Sequence, residues 1–202
     1  PTSVAATVMA TSPVVMMAFA WLVLAQPPPV AQLAGAGIGL AGVALLLLTG
    51  LTTVDPRGVL ASAGAMVMSS FGYVLAKKWS AGLDVLSLTA WQLVAGGLAL
   101  LPVAVLVEGA PPALDVPAVL GFGYVAVVAT ALAFAAWFTG LRHLDAGTVG
   151  LVGLLNPVTG VLLGTVVAAE VLSVRQWAGL VLVLGGIVLG SRRVRVGQVS
   201  RS

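Results

Sequence analysis

The sequence predicts an all-α membrane protein with about seven transmembrane helices, and three observations support this. Of the 202 residues, 60% are hydrophobic and 7% are charged, against about 25% charged in a soluble domain. The charged residues leave six long windows free of charge: 1–54, 58–76, 85–107, 116–141, 146–169 and 176–191. The alternating ladders of about ten residues that mark a membrane barrel are absent. Helices then remain as the structure that satisfies the backbone in lipid.

We expect the helices at 3–25, 31–49, 57–76, 86–107, 118–139, 147–168 and 174–191. The positive residues lie at the ends of these segments. The net charge of +3 therefore indicates membrane orientation and no nucleic-acid partner. Cysteine is absent, which excludes a disulfide framework and a thiolate metal site. The chain begins at Pro1 and lacks the basic region of a signal peptide, so we expect its beginning to be missing.

An internal duplication relates the first two helices to the last two. When the second copy is moved back by 144 residues without a gap, these pairs coincide: Pro157 with Pro13, Ala169 with Ala25, Val174 with Val30, Gln176 with Gln32, Ala178 with Ala34, Gly179 with Gly35, and Gly186 with Gly42. The two segments are therefore expected to share one structure.

The first helix carries Pro13 at its middle, directly after two hydroxyl residues. Proline removes one backbone hydrogen bond and kinks a helix, and a nearby hydroxyl can bond the freed carbonyl. Pro13 is therefore a candidate hinge. After the stiff turn at 26–29, the second helix presents Gly35 and Gly42 on a small-residue face that allows another helix to approach closely. Simple packing is the default role of these glycines.

The third and fourth helices contain four candidate substrate contacts. Ser69 and Tyr73 are four residues apart and share one helix face, so they line a pore or the serine simply bonds its own helix. Gln92 lies about five residues into its helix, where an amide facing lipid would be costly, and it therefore faces protein or a cavity. Trp91 lines that cavity or, as the default, lies at the membrane surface.

Further candidates follow in the fifth and sixth helices: Tyr124, Thr130, Trp137 and Thr148. Aromatic residues in such helices more often pack or form interface belts than bind a ligand, and this alternative stays open. The one histidine, His143, lies in a loop beside Arg142 and Asp145, so a surface role is its default.

The strongest candidate is Asn156, which the sixth helix places directly before Pro157. A side-chain amide beside a helix kink offers donors and acceptors where backbone groups are freed. In the functional interpretation, Asn156 contacts substrate and Pro157 is a hinge. In the structural interpretation, which is equally open, Asn156 makes an interhelical hydrogen bond and Pro157 is a structural kink. Glu170 begins the next turn, where exposure favours a structural role, such as a weak pair with Arg175, over proton coupling.

Orientation follows from the positive residues. If the tail at 192–202 is cytoplasmic and the helices alternate, the inside loops hold seven positive residues and the outside loops two. The loop after the first helix is then inside and its duplicate at Glu170 is outside, so the two copies are inverted, as in many secondary transporters. An offset of 144 residues contains five helices. Extended backwards, it predicts about 87 residues and three helices before Pro1, and ten helices in the intact protein.

This arrangement resembles the EamA family of the drug/metabolite transporter superfamily. The matching residues are Pro157, Glu170, Gln176, Trp177, Gly179 and Gly186 in the second copy, with Pro13, Gln32, Gly35 and Gly42 in the first. Gln26 departs from the pattern, because the family often has an acidic residue there. The resemblance implies two inverted five-helix repeats. Residues 1–49 would supply the last two helices of the first repeat and 57–191 the second, with a linker at 50–56 and a cytoplasmic tail at 192–202.

The resemblance also implies a function. It indicates a bacterial inner-membrane carrier that exports small metabolites, amino acids or drugs by alternating access, without a cofactor or a metal. The partners would be the lipid bilayer and a small-molecule substrate, and a homodimer stays open. No expected helix has an acidic or basic residue in its interior, which disfavours a proton relay and an intramembrane enzyme. A transport-inactive fragment or a membrane protein without transport activity is the alternative.

Overall fold

The computed structural model describes residues 2–47, 55–79, 82–109, 114–167 and 172–191. Within them, seven helical segments are long and apolar enough to cross a membrane, which confirms the predicted fold class. The described elements are α1 (Thr2–Met9), α2 (Ser12–Leu24), α3 (Val30–Leu47), α4 (Pro56–Trp79), α5 (Val85–Glu108), α6 (Val116–Tyr124), a π-helical segment (Val125–Leu132), α7 (Ala133–His143), α8 (Ala146–Val152), α9 (Leu155–Val167) and α10 (Val174–Ser191).

Two of the seven spans are interrupted near their middle. The first divides into α1 and α2 at Ala10–Thr11, and the sixth divides into α8 and α9 at Gly153–Leu154. With the offset of 144 residues, the two breaks coincide to within one residue. The sequence predicts kinks at Pro13 and Pro157, whereas the structure has each break in the turn before the proline. This is reasonable because a proline lacks the N–H that would bond the carbonyl four residues earlier.

The chain divides into two compact units. The first comprises residues 1–78 and 144–202 and therefore contains α1 to α4 and α8 to α10. The second comprises residues 79–143 and contains α5, α6, the π-helical segment and α7.

In the first unit, α3 and α10 cross at the glycines that the duplication matches. A Cβ atom on Gly42 would lie 2.7 Å from the carbonyl oxygen of Gly179, and one on Gly186 would lie 2.5 Å from that of Gly35. The early part of each helix thus meets the late part of the other, so the two helices run antiparallel. Because Gly35 matches Gly179 and Gly42 matches Gly186, the contact is reciprocal, as a two-fold relation between the copies requires.

Apolar side chains from both copies surround this crossing and form the core of the first unit. They are Ala10, Met17, Ala36, Val43, Leu46, Leu151, Leu154, Val158, Leu180 and Val183. Leu151 and Leu154 are fully buried beside the second helix break. The interruption of the helix is therefore held in place by packing and is not a frayed end.

The second unit begins with a capped helix. The Asp84 carboxylate accepts a hydrogen bond from the backbone N–H of Ser87 (3.0 Å) at the start of α5, and this bond lowers the pKa of the Asp84 carboxyl. At the other end of the unit, a guanidinium nitrogen of Arg142 donates to the carbonyl of Leu83 (3.2 Å). Between α6 and α7 the π-helical segment runs without a break, and such segments are frequent at functional sites.

Candidate functional site

The helix breaks interrupt the regular backbone hydrogen bonding in the middle of two spans. In the first copy, the hydroxyl of Thr11 donates to the carbonyl of Val8 (2.7 Å), as the sequence predicts for a hydroxyl beside a kink. In the second copy, the N–H of Asn156 donates to the carbonyl of Gly153 (3.1 Å). In an unbroken helix that carbonyl would have bonded residue 157, which is a proline. The reused carbonyl in the second copy is therefore the one four residues before the proline, whereas in the first copy it is that of Val8, five residues before Pro13.

Asn156 and Ser12 occupy matched positions after the two breaks, each directly before a proline. The Asn156 side chain is exposed and makes no hydrogen bond to any other residue that the structure describes. Placing an amide against lipid in the middle of a span would cost free energy. The exposed Asn156 side chain is therefore better suited to face a polar cavity. Sequence reasoning proposed Asn156 and overlooked Ser12, although the 144-residue offset was the signal that could have found it.

At one end of the first unit, Gln32 joins α3 to the start of α8. Its side chain is 3% exposed, and its Nε2 donates to Asp145 Oδ1 (2.7 Å) and to Thr148 Oγ1 (3.1 Å). Thr148 in turn donates its backbone N–H to Asp145 Oδ1 (2.8 Å) and its hydroxyl to Oδ2 (2.7 Å). Three of the roughly four acceptor positions of the carboxylate are therefore occupied. We call these three residues the Gln32 network.

Sequence reasoning assigned Gln32 a structural role by resemblance and gave Asp145 no role. The cap that Asp145 forms on α8 has a local signature, an aspartate three residues before a threonine at a helix start. Its bond to Gln32 spans 113 residues, and nothing in a single sequence indicates which distant amide a loop carboxylate will meet.

The α8 helix packs closely against α2 beside this network. A Cβ atom on Gly150 would lie 3.1 Å from the Cα of Pro13 and 3.4 Å from the sulfur of Met16, and one on Gly147 would clash with Oε1 of the Gln32 side chain. All residues from Ala146 to Leu151 are buried. By contrast, a Cβ on Gly160, in the following helix α9, would meet no atom within 4 Å. The described part of this unit is therefore tightly closed on the α8 side.

A small cleft of about 160 Å³ opens next to the network. It is lined by the turn at 26–29 and by Met17, Ala20, Gln32, Asp145 and Gly147. Pockets for drug-sized ligands are about 300–1,000 Å³, so this cleft can hold water or a very small solute. It is too small to be the binding site of a typical metabolite.

The other predicted contacts lie on separate helices. In the first unit, the hydroxyl of Ser69 donates to the carbonyl of Met66 (3.0 Å), which favours the alternative that this serine bonds its own helix, and Tyr73 is half-buried. In the second unit, Trp91, Gln92 and Tyr124 are exposed, Thr130 lies in the π-helical segment and Trp137 is half-buried on α7. Within each unit these residues do not converge on one cavity among those described.

The second-copy motif residues have local partners. Gln176 Oε1 accepts hydrogen bonds from the N–H and the hydroxyl of Ser173 (2.9 Å each), and the N–H of Gln176 donates back to that hydroxyl (3.3 Å). This is a capping box at the start of α10. Glu170 lies outside the described residues, so its predicted pair with Arg175 keeps the status of a prediction. Among the described residues, no group of three or more His, Cys, Asp or Glu could hold a metal ion.

Comparison with known proteins adds the family. The model of the EamA-like transporter family matches residues 1–48 and 56–192. The chain belongs to the EamA-like transporter family. This membership is consistent with the ten-helix architecture that the sequence predicts and confirms the resemblance drawn from the motif residues. A membrane transporter is the function class that the family and its named members support.

Several curated relatives match nearly the whole chain. Protein PecM of Dickeya dadantii (strain 3937) is 33% identical over 210 residues, covering 100% of this chain and 71% of the relative. A "Probable amino-acid metabolite efflux pump" of Salmonella typhimurium is 29% identical, covering 84% of this chain and 60% of the relative. The "Uncharacterized inner membrane transporter YedA" of Escherichia coli (strain K12) is 27% identical, covering 94% of this chain and 61% of the relative.

A solved crystal structure has the same fold. It superimposes with a TM-score of 0.83 at 21% sequence identity and covers 96% of this chain and 69% of its own. At this identity the likeness concerns the fold alone. The chain thus spans about 60% to 71% of the length of the proteins named above.

Proposed function

We propose that this chain belongs to a secondary carrier that exports small metabolites across the bacterial inner membrane by alternating access. The observation that carries the proposal is the pair of helix breaks at Ala10–Thr11 and Gly153–Leu154, which lie at matched positions of the two copies. Secondary transporters bind substrate near the bilayer midplane, where interrupted helices of two inverted repeats meet. Ser12 and Asn156 are the polar side chains that directly precede the two prolines, and we propose that they contact the substrate.

The antiparallel crossing of α3 and α10 supports the inverted relation of the copies. We accordingly propose that residues 1–49 end one repeat and that residues 57–191 form the other. The Lys77 ammonium donates to the carbonyl of Leu144, and a Cβ on Gly190 would lie 3.5 Å from the Cα of Gln32. The ends of α4 and α10 and the starts of α3 and α8 thus share one end of the first unit, as alternating helices require.

We propose that this shared end is cytoplasmic. It includes the C-terminal end of α10 and the end of α4, which carries Lys77 and Lys78, and the predicted inside segments of the chain hold seven positive residues against two outside. Positive residues accumulate in cytoplasmic loops. The C-terminus of the chain would then also be cytoplasmic.

The substrate class follows from the chemistry at the breaks. An amide and a hydroxyl can donate and accept hydrogen bonds, and the predicted span interiors hold no acidic or basic side chain that would select a net charge. We therefore propose neutral or zwitterionic polar substrates, which include amino acids. The name of the Salmonella relative agrees with that class. The Salmonella and Escherichia coli relatives carry the names of an efflux pump and a transporter, and the proposal assigns no enzymatic reaction to the chain.

A growth assay tests the proposal. Cells that express the full-length protein are compared with empty-vector cells on a panel of toxic amino-acid analogues and amphiphilic drugs. We expect resistance to at least one analogue, reduced by Asn156→Ala. The Gln92→Ala variant asks separately whether the second unit contributes to the site. If the protein reaches the membrane and no compound is tolerated better, the exporter proposal fails and the inactive alternative stands.

A further inference from the structure

The Gln32 network lies at one end of the duplicated structure, and it has no equivalent at the other end among the residues that the structure describes. The matched position of Gln32 is Gln176, which caps its own helix through Ser173. With the offset of 144 residues, Asp145 matches position 1 and Thr148 matches position 4, which are Pro1 and Val4. Neither residue offers a carboxylate or a hydroxyl. The bond between α3 and the loop before α8 is therefore specific to one end of the two-fold arrangement.

The network holds in place the element that would move. The α8 helix is buried from Ala146 to Leu151 and fits against Pro13, which follows the first helix break. Two hydrogen bonds from the Gln32 amide hold the first turn of α8 against α3. The Lys77 ammonium donates to the carbonyl of Leu144, just before α8, and so holds the same turn from α4. Among the described helices of the first unit, α2 and α8 pack closely between this end and the helix breaks, so we consider a path between these two helices. It cannot form while these bonds are made.

We propose that the Gln32 network is the gate at the end of the carrier that contains the C-terminal end of α10, and that the gate is closed in this structure. The inference rests on the proposed carrier function and assigns that function a moving part. Opening requires the Gln32 amide to leave the Asp145 carboxylate, so that α8 separates from α2 and α3. Gln32 and Asp145 act as positioning residues here, and neither is assigned a contact with substrate.

The bond chemistry suits a gate. The hydrogen bond from an amide to a carboxyl group is strong enough to favour one state, yet losing it changes an equilibrium by only about tenfold to a hundredfold. A substrate that binds the open state somewhat better could reverse such a preference. The bonds also lie beside the cleft of about 160 Å³ that Gln32 and Asp145 line, so water can solvate both groups when they part.

A cysteine reporter tests the gate without any substrate. The natural sequence has no cysteine, and Ala20, which is 2% exposed, lies in the wall of the cleft. The full-length protein with Ala20→Cys is placed in lipid nanodiscs, where a hydrophilic maleimide reaches both faces. The rate of labelling then reports how often the gate opens. Because no transport is measured, this result is independent of whether a substrate is ever found.

The decisive variant exchanges the two groups. Gln32→Glu places a second carboxyl group against Asp145, and the pair can keep a hydrogen bond only by sharing a proton. All variants are therefore labelled at alkaline pH, where we expect Gln32→Glu to accelerate labelling about tenfold or more because the shared proton is lost and repulsion replaces the bond. In the double variant Gln32→Glu with Asp145→Asn, the amide at position 145 can donate to the carboxylate at position 32. The labelling rate should therefore return to within about threefold of the original. Gln176→Glu is the matched control and should leave the rate unchanged.

Two outcomes overturn the proposal. One is a Gln32→Glu protein that is folded and labels at the original rate. The other is an exchanged double variant that is folded and labels about tenfold faster than the original protein or more, an outcome that remains decisive even if Gln32→Glu fails to fold. Equal acceleration by Gln176→Glu would likewise refute the one-sided assignment. A loss of transport in the growth assay with an intact labelling pattern would count against the carrier function and leave the opening motion standing.

Discussion

Replacing Gly186 with alanine tests the helix crossing on which the inverted arrangement depends. The new Cβ atom would lie 2.5 Å from the carbonyl oxygen of Gly35, 2.8 Å from the nitrogen of Gly39 and 3.1 Å from the Cα of Gly39. All three are backbone atoms of α3, which cannot rotate aside as a side chain would. The two helices would have to separate by about 1 Å to reach ordinary contact distance, and they would lose close contacts along the crossing.

The expected effect is a clear loss of stability. Overpacking of this kind costs about 1–3 kcal/mol, offset by up to about 1 kcal/mol from replacing glycine in a helix. A net destabilisation of about 1–2 kcal/mol lowers the Tm of a protein of this size by about 2–8 °C. Gly185→Ala is the matched control, because its Cβ would meet nothing within 4 Å. It should leave the Tm unchanged or raise it slightly.

The assay is thermal unfolding of the two purified variants in the same detergent, followed by size-exclusion chromatography of the folded fraction. The comparison between adjacent residues removes differences in expression and in helix propensity. If Gly186→Ala is as stable as Gly185→Ala, then α3 and α10 do not cross at these glycines. The reciprocal contact between the two copies would then be wrong.

Two further predictions concern the turn after α2 and the topology. Ala25 has a φ of 53°, in the left-handed region, so Ala25→Gly should stabilise the protein by about 1 kcal/mol; a lower Tm would refute the strained turn. Gln26 and Ser173 should lie on opposite sides of the membrane if the copies are inverted. Single cysteines at the two positions, labelled with an impermeant reagent in sealed vesicles of known orientation, should react from opposite faces, and reaction from the same face would contradict the inversion.

The helices could be predicted because their signal is local. Seven long apolar segments, separated by charged residues or by the proline turn at 26–29, favour helices in lipid. The bounds of α3 and α10, Val30–Leu47 and Val174–Ser191, differ by the 144-residue offset at both ends. The small-residue face of Gly35 and Gly42 likewise indicated a close helix contact. Which helix makes that contact was not predicted, because any span with a matching face could have fitted.

The exact positions of the helix breaks and the bonds of the Gln32 network could not be predicted from the sequence. Pro13 and Pro157 indicated two kinks, but the break lies in the preceding turn, since the carbonyl that loses its partner is four residues earlier. Gln32 could be placed on a helix, whereas its bond to Asp145 depends on how α3 and α8 are packed. A contact between side chains 113 residues apart in the chain depends on tertiary structure. Helix propensity and hydrophobic periodicity do not predict it.

The measurement that tests the carrier proposal most directly is efflux from cells preloaded with a mixture of the twenty radiolabelled amino acids. The full-length protein, Asn156→Ala and Thr159→Val are compared at equal membrane levels. Thr159 is the control, because its hydroxyl already donates to the carbonyl of Leu155 (2.9 Å) in its own helix. We expect faster efflux of at least one amino acid than in empty-vector cells, slowed about three- to tenfold by Asn156→Ala and unchanged by Thr159→Val. Efflux by Asn156→Ala at the full rate would contradict a substrate site at the helix breaks.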